Sequence, residues 1–430
     1  MRDQKRDSGR HERPFKSARK PDLHRAVKPE FQRIPKPEAK PEPETFAKYY
    51  FEKTGGNLPA YPDELKIKQS SLRSFWKEHS LPGAAPEIIA SPRGRNYRTT
   101  SKRKAVFSHG KLEFSMGYRD LPKKGSLPPD GAAMEAELHG RIYALALEIL
   151  RKPHYQPLAK ALNFFIVRGS YDKAAVILNV FQLSGDIVRK AKAFAEELPE
   201  AERGVISVSL YFDETRSEYY FESFRPHAPV SFKHLRGTSL LDLALPDRPK
   251  LLYPLSVFSQ VNESMLPVFT DTALDLLGVT EHTRFIDLYC GYGLFGLYAA
   301  AQADSVVGID FEGPSVKAAR ANAEHLYPGK NIRYEAASVT PDTLDELLPP
   351  PSRNEVILLD PPRNGTSDGV IAAIASRRPQ KVLAVYCGIE QMAKECRLWL
   401  ANGFELAEIR CFDMFPGSPN LETMLLLKRP

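Results

Sequence analysis

Cys387 and Glu422 are two side chains of this 430-residue chain that could together do covalent chemistry on a ring. A thiolate is the best side-chain nucleophile at neutral pH. A carboxylate suits the removal of a carbon-bound proton that has already been acidified. A thiolate adding to one carbon of an electron-poor ring double bond makes the neighbouring carbon enolate-like. That carbon can then take an electrophile, the carboxylate takes the proton left there, and the cysteine is eliminated. Taken singly, neither residue demands this chemistry. A free cysteine is commonly a buried structural thiol, and a loop glutamate is commonly solvated.

Their placement relative to the strands strengthens the case. Arg284 to Asp310 reads as a strand, a glycine turn, a helix and a second strand that ends on an acid. Phe285, Ile286 and Leu288 are the apolar end of the first strand. Gly291 and Gly293 let a ligand approach the turn, Leu294 to Gln302 has the composition of a packed helix, and Val306 to Ile309 lead to Asp310. An acid at that tip can accept hydrogen bonds from ribose hydroxyls. The stretch satisfies G-x-G-x-x-G, and it also has Asp287 four residues before a G-x-G, the pattern of S-adenosylmethionine enzymes. Bulky Tyr292 and Leu294 leave less room for a pyrophosphate. A methyl-donor site, a dinucleotide site and a plain α/β crossover all fit this stretch. Further on, Val356 to Leu359 predicts a strand followed by Asp360-Pro361-Pro362-Arg363, whose prolines stiffen the turn that holds the carboxylate. Val382 to Tyr386 predicts a strand with Cys387 at its end, and Phe404 to Arg410 and Thr423 to Leu427 close the sheet. Ligands bind beyond the carboxyl ends of strands in an open parallel sheet. Asp287, Asp310, Asp360, Cys387 and Glu422 are therefore expected on one rim.

Composition bounds the rest. A length of 430 residues suggests two or three domains, and a hydrophobic share of 42% permits an ordinary core. No apolar run reaches the ~18 residues of a membrane span, and the charged N-terminus does not read as a secretory signal. Cys290, Cys387, Cys396 and Cys411 form no C-x-x-C pair, so no metal, no iron–sulfur cluster and no disulfide scaffold is expected. A cytoplasmic, reducing location and a monomer are the expectations.

Residues 1–40 carry 13 Lys/Arg against 6 Asp/Glu, so the whole net charge of +7 sits there. With few aliphatic clusters, residues 1–45 read as a disordered basic tail. It is either an arm for RNA phosphates or a solubilising tail. Residues 46–87 read as a linker with a helix over DELKIKQSSLRSFWKEHS, whose role is not legible. Residues 88–250 read as a central α+β domain that contacts RNA, and 251–430 as the domain of the glycine turn. Within the former, Arg93, Arg95, Arg98, Lys102, Arg103 and Lys104 cluster around Tyr97, ahead of a hairpin turning near His109–Gly110. Basic residues among aromatics can hold phosphates and stack bases; equally, this is a solvated hairpin face. Helices are expected over Gly131–Arg151 and Ser184–Leu198, and strands over Asn163–Arg168, Ala174–Val180, Val205–Phe212 and Glu218–Phe221. Gln260 and Asn262, polar in an apolar segment, read on their own as loop residues.

From about Pro92 onward the chain resembles the RNA 5-methyluridine (uracil-C5) methyltransferases. The resemblance rests on FSQVN, DLYCGYG, DPPRNG, the cysteine at a strand end and DMFPGSPNLE, in that order. It implies an α/β fold: a Rossmann-like S-adenosylmethionine-dependent methyltransferase domain behind a central α+β domain. It also implies rRNA or tRNA as partner. By position, Gln260, Tyr289, Asp310 and Asp360, with the turn glycines Gly291 and Gly293, would hold S-adenosylmethionine. Cys387 would be the nucleophile, Glu422 the base, and Arg363 a group orienting substrate, with Arg98 a second candidate for substrate contact.

The chain departs from the family in having Gly388-Ile389 where Asn-Pro is usual, Leu294 in place of a polar residue, and Asn420 in place of a histidine. Two other readings stand beside this one. One is methylation of a base nitrogen, which usually wants an aromatic residue where Arg363 stands. The other is an RNA-binding assembly factor that has lost activity, favoured by Gly388-Ile389 and opposed by the retention of both Cys387 and Glu422.

Overall fold

The computed structural model describes residues 45–115, 133–216 and 230–429. The basic tail up to residue 44 and the strand expected over Glu218–Phe221 lie outside the described residues.

Two helices lead, α1 (Phe46–Thr54) and α2 (Tyr61–Glu78). The Thr45 hydroxyl caps α1 by accepting from the Lys48 amide, and Gly55 ends it at a positive φ. A two-residue strand, β1 (Ile88–Ile89), follows. The hairpin of β2 (Thr100–Ser108) and β3 (Lys111–Ser115) turns at His109 and Gly110, both at positive φ. Next come α3 (Glu137–Leu150), α4 (Gln156–Ala161), β4 (Leu162–Gly169), β5 (Ala174–Val180), α5 (Gly185–Ala201), β6 (Val205–Asp213) and β7 (Val230–Gly237). These strands form a six-stranded sheet in the order β3-β2-β4-β5-β6-β7. Its pairs are antiparallel except β5 with β6, which the α5 crossover makes parallel. Alternate residues divide the two faces. Phe165, Val167, Val176 and Leu178 pack with α3 and α5, whereas Phe164, Ile166, Ala175 and Ile177 enter a core shared with the second large sheet.

The short pair β8 (Leu240–Leu243) and β9 (Leu251–Pro254) leads into α6 (Leu266–Leu277). Strands and helices then alternate: β10 (Arg284–Leu288), α7 (Leu294–Ala299), β11 (Ser305–Asp310), α8 (Gly313–Leu326), β12 (Asn331–Ala336), α9 (Pro341–Leu347), β13 (Glu355–Leu359), α10 (Val370–Arg377), β14 (Lys381–Tyr386) and α11 (Ile389–Ala401). The antiparallel pair β15 (Glu405–Phe412) and β16 (Glu422–Lys428) ends the described chain. The sheet order is β1-β15-β16-β14-β13-β10-β11-β12, parallel throughout except where β16 runs against β14 and β15. Phe285, Val356, Leu358 and Leu383 face α6, α7 and α8; Ile286, Ile357, Leu359 and Val382 face α2, α10 and α11. This is the α/β Rossmann-like fold that the sequence pointed to.

Two features are new relative to the sequence. β12 was not expected because its pattern is mostly exposed, with only Tyr334 fully buried, so it carries little apolar signal. The stretch over residues 46–87 is not open chain: Leu72, Phe75 and Trp76 of α2 are buried in one core of the eight-stranded sheet, and Ile88–Ile89 pairs with β15 at its edge. No helix among the described residues is long and apolar enough to cross a membrane.

Candidate active site

The sheet register brings the five sequence-nominated groups to one rim. β10 has Asp287 as its penultimate residue, β11 ends on Asp310, Asp360 follows β13, and Cys387 follows β14. These four strands are parallel, so their carboxyl ends share an edge. β16 runs the other way and starts at Glu422, on that same edge. Tyr386 pairs with Thr423, so the next step of the register carries Cys387 opposite Glu422.

The turn after β10 is built from unusual backbone. Tyr289, Gly291 and Gly293 all have positive φ. For Tyr289 that conformation is uncommon and strained, a feature that clusters at functional sites. A β-carbon on Gly291 would meet nothing within 4 Å, so one side of the turn is open. One on Gly296 would lie 2.8 Å from the Tyr334 hydroxyl and 2.9 Å from Asp287 Oδ2, so this glycine permits the close packing of α7. The Asp287 carboxylate accepts from the Gly296 amide at 2.8 Å, which ties the helix start to the strand. Asp310 accepts from the Gly291 and Glu312 amides at 3.0 and 2.8 Å, which fixes the acid against the turn. Phe311, next to it, is 75% exposed.

Buried acids dominate the rim. Burial pushes Asp287 up to about 8, with Asp360 and Asp310 adding to the effect and the Gly296 amide opposing it. Burial, then Asp310, pushes Asp360 up to about 7, and burial raises Asp310 as well. One Asp287 oxygen is buried without a hydrogen bond. Three desolvated carboxylates beside an open glycine turn fit a ligand that carries positive charge and ribose hydroxyls.

The Cys387–Glu422 pair lies in the same field. Cys387 is half-buried. Its thiol is pushed up to about 11 by burial, then by Glu422 and Asp360, while Arg363 opposes the shift. Glu422 is 1% exposed and neither carboxylate oxygen has a hydrogen bond. Burial and then Asp360 raise it well above the usual carboxylate range, against the pull of Arg363. Arg363 itself is exposed. Gly388 precedes α11, has open space at its α-carbon, and is followed by a buried Ile389. The departure from Asn-Pro thus leaves an intact strand-to-helix turn.

The remaining nominated residues are spread more widely. Gln260 is half-buried in the segment before α6, and the buried phenol of Tyr289 is pushed up to about 12 by desolvation. Arg98 is half-buried, with Nε donating to the Thr100 carbonyl at 2.9 Å. Sequence reasoning missed the residues that hold the loops. Asn262 donates to Ser91 Oγ at 3.0 Å and to the Met414 carbonyl at 3.1 Å, linking three distant segments. Arg168 of β4 is buried and donates to the Leu255 carbonyl at 2.7 Å and to Ser259 Oγ at 2.9 Å, which fixes the approach to Gln260. Glu395 of α11 accepts from the Thr366 amide at 2.7 Å and from the Tyr386 hydroxyl at 2.8 Å, which anchors the loop after Asp360. Among the described residues, no group of three or more His, Cys, Asp or Glu could hold a metal ion.

The strand order and connections define a Rossmann-like α/β fold. The crystal structure of a Pyrococcus abyssi tRNA (uracil-54, C5)-methyltransferase in complex with S-adenosyl-L-homocysteine superposes with a TM-score of 0.61, covering 86% of this chain and 83% of that one at 18% identity. The resemblance found in the motifs is matched by relatives that bear the same family name. The chain is 33% identical over 206 residues to the 23S rRNA (uracil(1939)-C(5))-methyltransferase RlmD of Aliivibrio fischeri, covering 47% of this chain. That match spans 45% of the relative's length. It is 26% identical over 416 residues to the tRNA (uracil(54)-C(5))-methyltransferase of Saccharomyces cerevisiae, covering 89% of this chain and 62% of the relative. No protein-family model matches the chain.

Proposed function

We propose that this chain methylates carbon 5 of a uridine in rRNA or tRNA, with S-adenosylmethionine as donor, Cys387 as nucleophile and Glu422 as base. The observation that carries the reading is the register of β14 and β16, which sets Cys387 opposite a buried, unbonded Glu422 beside Asp360.

Asp310 would take the ribose hydroxyls of the donor, and the exposed Phe311 ring offers an apolar surface for its adenine. Gln260, Tyr289 and Asp360 would hold its charged end. S-adenosylmethionine supplies an electrophilic methyl group when bound there. A cation held by Asp360 would offset that carboxylate's share of the upward shift on the Cys387 thiol. The thiolate adds to carbon 6 of the uracil, and the electron pair of the 5,6 double bond moves to carbon 5. Carbon 5 would form its new bond to the donor's methyl group as the methyl–sulfur bond breaks, the donor leaving as a neutral thioether. Glu422 then takes the proton from carbon 5, the 5,6 double bond re-forms, and the carbon–sulfur bond breaks to return Cys387. Arg363 opposes the upward shift of both groups, which suits a residue that orients substrate and keeps them ionisable.

Glu422→Gln keeps the shape and removes the base. The variant should add to RNA, transfer the methyl group and stall, giving a covalent protein–RNA species that migrates slowly on a denaturing gel. Total RNA from cells lacking the gene serves as substrate. A variant that turns over normally, or that gives no adduct with RNA it demonstrably binds, removes Glu422 from the role.

A further inference from the structure

Glu422 has no hydrogen bond on either carboxylate oxygen. Its placement therefore rests on backbone alone: its pairing with Phe412 at the start of β16, and the loop over residues 413–421 that leads into it. That loop is tied down from an unexpected side. Lys68 of α2 is fully buried, with Nζ 2.7 Å from Asp413 Oδ1, 3.0 Å from the Phe415 carbonyl and 3.3 Å from Glu64 Oε1. Glu64, one turn earlier and also fully buried, accepts from the Gly417 amide at 2.6 Å and pairs with Arg95 at 2.8 Å. The Asp413 amide donates to the Ile89 carbonyl at 2.9 Å. Two cations and two carboxylates balance here; Lys68, Glu64 and Asp413 are fully buried, and Arg95 is half-buried at the edge. Removing one charge from such a cluster leaves a buried ion uncompensated, and the loop is the part free to move away from it.

We propose that Lys68 and Glu64 are positioning residues for the base: through this cluster, α2 sets the loop that places Glu422 over the substrate. The inference rests on the reading of Glu422 given above. It also gives a role to the helix whose sequence disclosed none. The cluster acts on one step, proton removal from carbon 5, and leaves the earlier attack by Cys387 alone, because Cys387 is delivered by β14 and held by no residue of the cluster.

Two RNA probes separate these steps in the full-length protein. Total RNA from cells lacking the gene and grown on 5-fluorouracil has no removable proton at carbon 5, so it reports adduct formation alone. Total RNA from the same cells grown without the fluorinated base and carrying tritium at carbon 5 of uridine reports the base step by tritium release. Lys68→Met should trap the fluorinated RNA within about twofold of the wild-type rate while releasing tritium about tenfold to a hundredfold more slowly, the scale of a group misplaced by about 1 Å. Lys68→Met combined with Asp413→Asn restores charge balance, since Arg95 still neutralises Glu64, but loses the tether to Phe415; its release rate should fall between the two. Release at the wild-type rate in Lys68→Met overturns the proposal. So does loss of trapping and release in equal proportion, which marks a purely structural cluster. Should Lys68→Met fail to fold, wild-type release in the double variant overturns it in the same way. A wild-type protein that neither traps nor releases overturns the uracil-C5 reading itself, and this inference with it.

Discussion

The rim of the eight-stranded sheet and the basic hairpin region of the six-stranded sheet hold two sets of polar residues nominated from sequence, and they turn out opposite in kind. Each cation between Arg93 and Lys104 engages an internal group. Arg93 lies 3.8 Å over the Tyr171 ring, Arg95 pairs with Glu64, and Arg98 bonds the Thr100 carbonyl. Arg103 pairs with Glu135 at 2.7 Å and covers the Tyr143 ring, while Lys102 and Lys104 lie over Phe164. On the rim, Glu422 is buried with no hydrogen bond, one oxygen of Asp287 is likewise unbonded, and Asp360 is pushed up toward neutrality. Burying a carboxylate without partners is expensive, and structures that keep one usually use it. Charge density along the sequence and desolvated, unsatisfied charge in the fold therefore nominate different residues, and the second criterion favours the rim as the candidate site.

The contrast breaks first at Cys387. Cys387→Ala should lower methyl transfer by on the order of 10⁴ or more, as loss of a covalent nucleophile does, while S-adenosylmethionine still binds, measured by calorimetry. Appreciable turnover in that variant would remove the covalent mechanism. Arg103→Met should do the reverse. The folded enzyme should keep its rate within about twofold, but stability should drop by about 3 kcal/mol, because Glu135 is left buried without its cation. A denaturant titration reads that loss. The salt dependence of RNA binding sharpens the point: a phosphate contact contributes about one unit of slope, and an Arg103 engaged internally contributes none. A slope that falls by a full unit in Arg103→Met would return the hairpin to the RNA interface.

Much of the fold was legible because its parallel strands are buried on both faces and read as apolar runs. Arg284–Leu288, Ser305–Asp310, Glu355–Leu359 and Lys381–Tyr386 all fall where Phe285–Leu288, Val306–Asp310, Val356–Leu359 and Val382–Tyr386 predicted them. The shared rim was legible too, since strand ends and parallel order together fix it. What could not be read was long-range polar pairing. Glu64 and Lys68 sit in the same helical stripe as Leu72, Phe75 and Trp76, so a charged pair on an apolar face was the available signal. Its partner Asp413 lies 345 residues away, and no local pattern announces that contact. Asn262 was set aside as a loop residue for the same reason: its two acceptors come from segments on either side of the chain.

The smallest predicted effect tests the crowding of buried acids on the rim through its pH signature. Asp287 moves from 3.8 to about 8 on folding, mainly through burial. The folded state thus holds a proton that the unfolded chain releases, so the stability from this group is complete below about pH 4 and is lost as pH rises through 8. Asp360 and Glu422 act with the same sign. His139, buried and pushed down to about 3, acts with the opposite sign below 6.5, so the informative window lies above that value. Between pH 6.5 and 8, unfolding free energy should fall as pH rises, by up to about 1.4 kcal/mol per pH unit for each retained proton. Asp287→Asn should flatten that slope by about one proton's share, read by denaturant titration at several pH values. Saturating S-adenosylmethionine should flatten the wild-type slope as well, because a bound cation favours the ionised carboxylates. If the slope is the same in Asp287→Asn and wild type, the Asp287 carboxyl is ionised in the folded protein and the rim is already balanced.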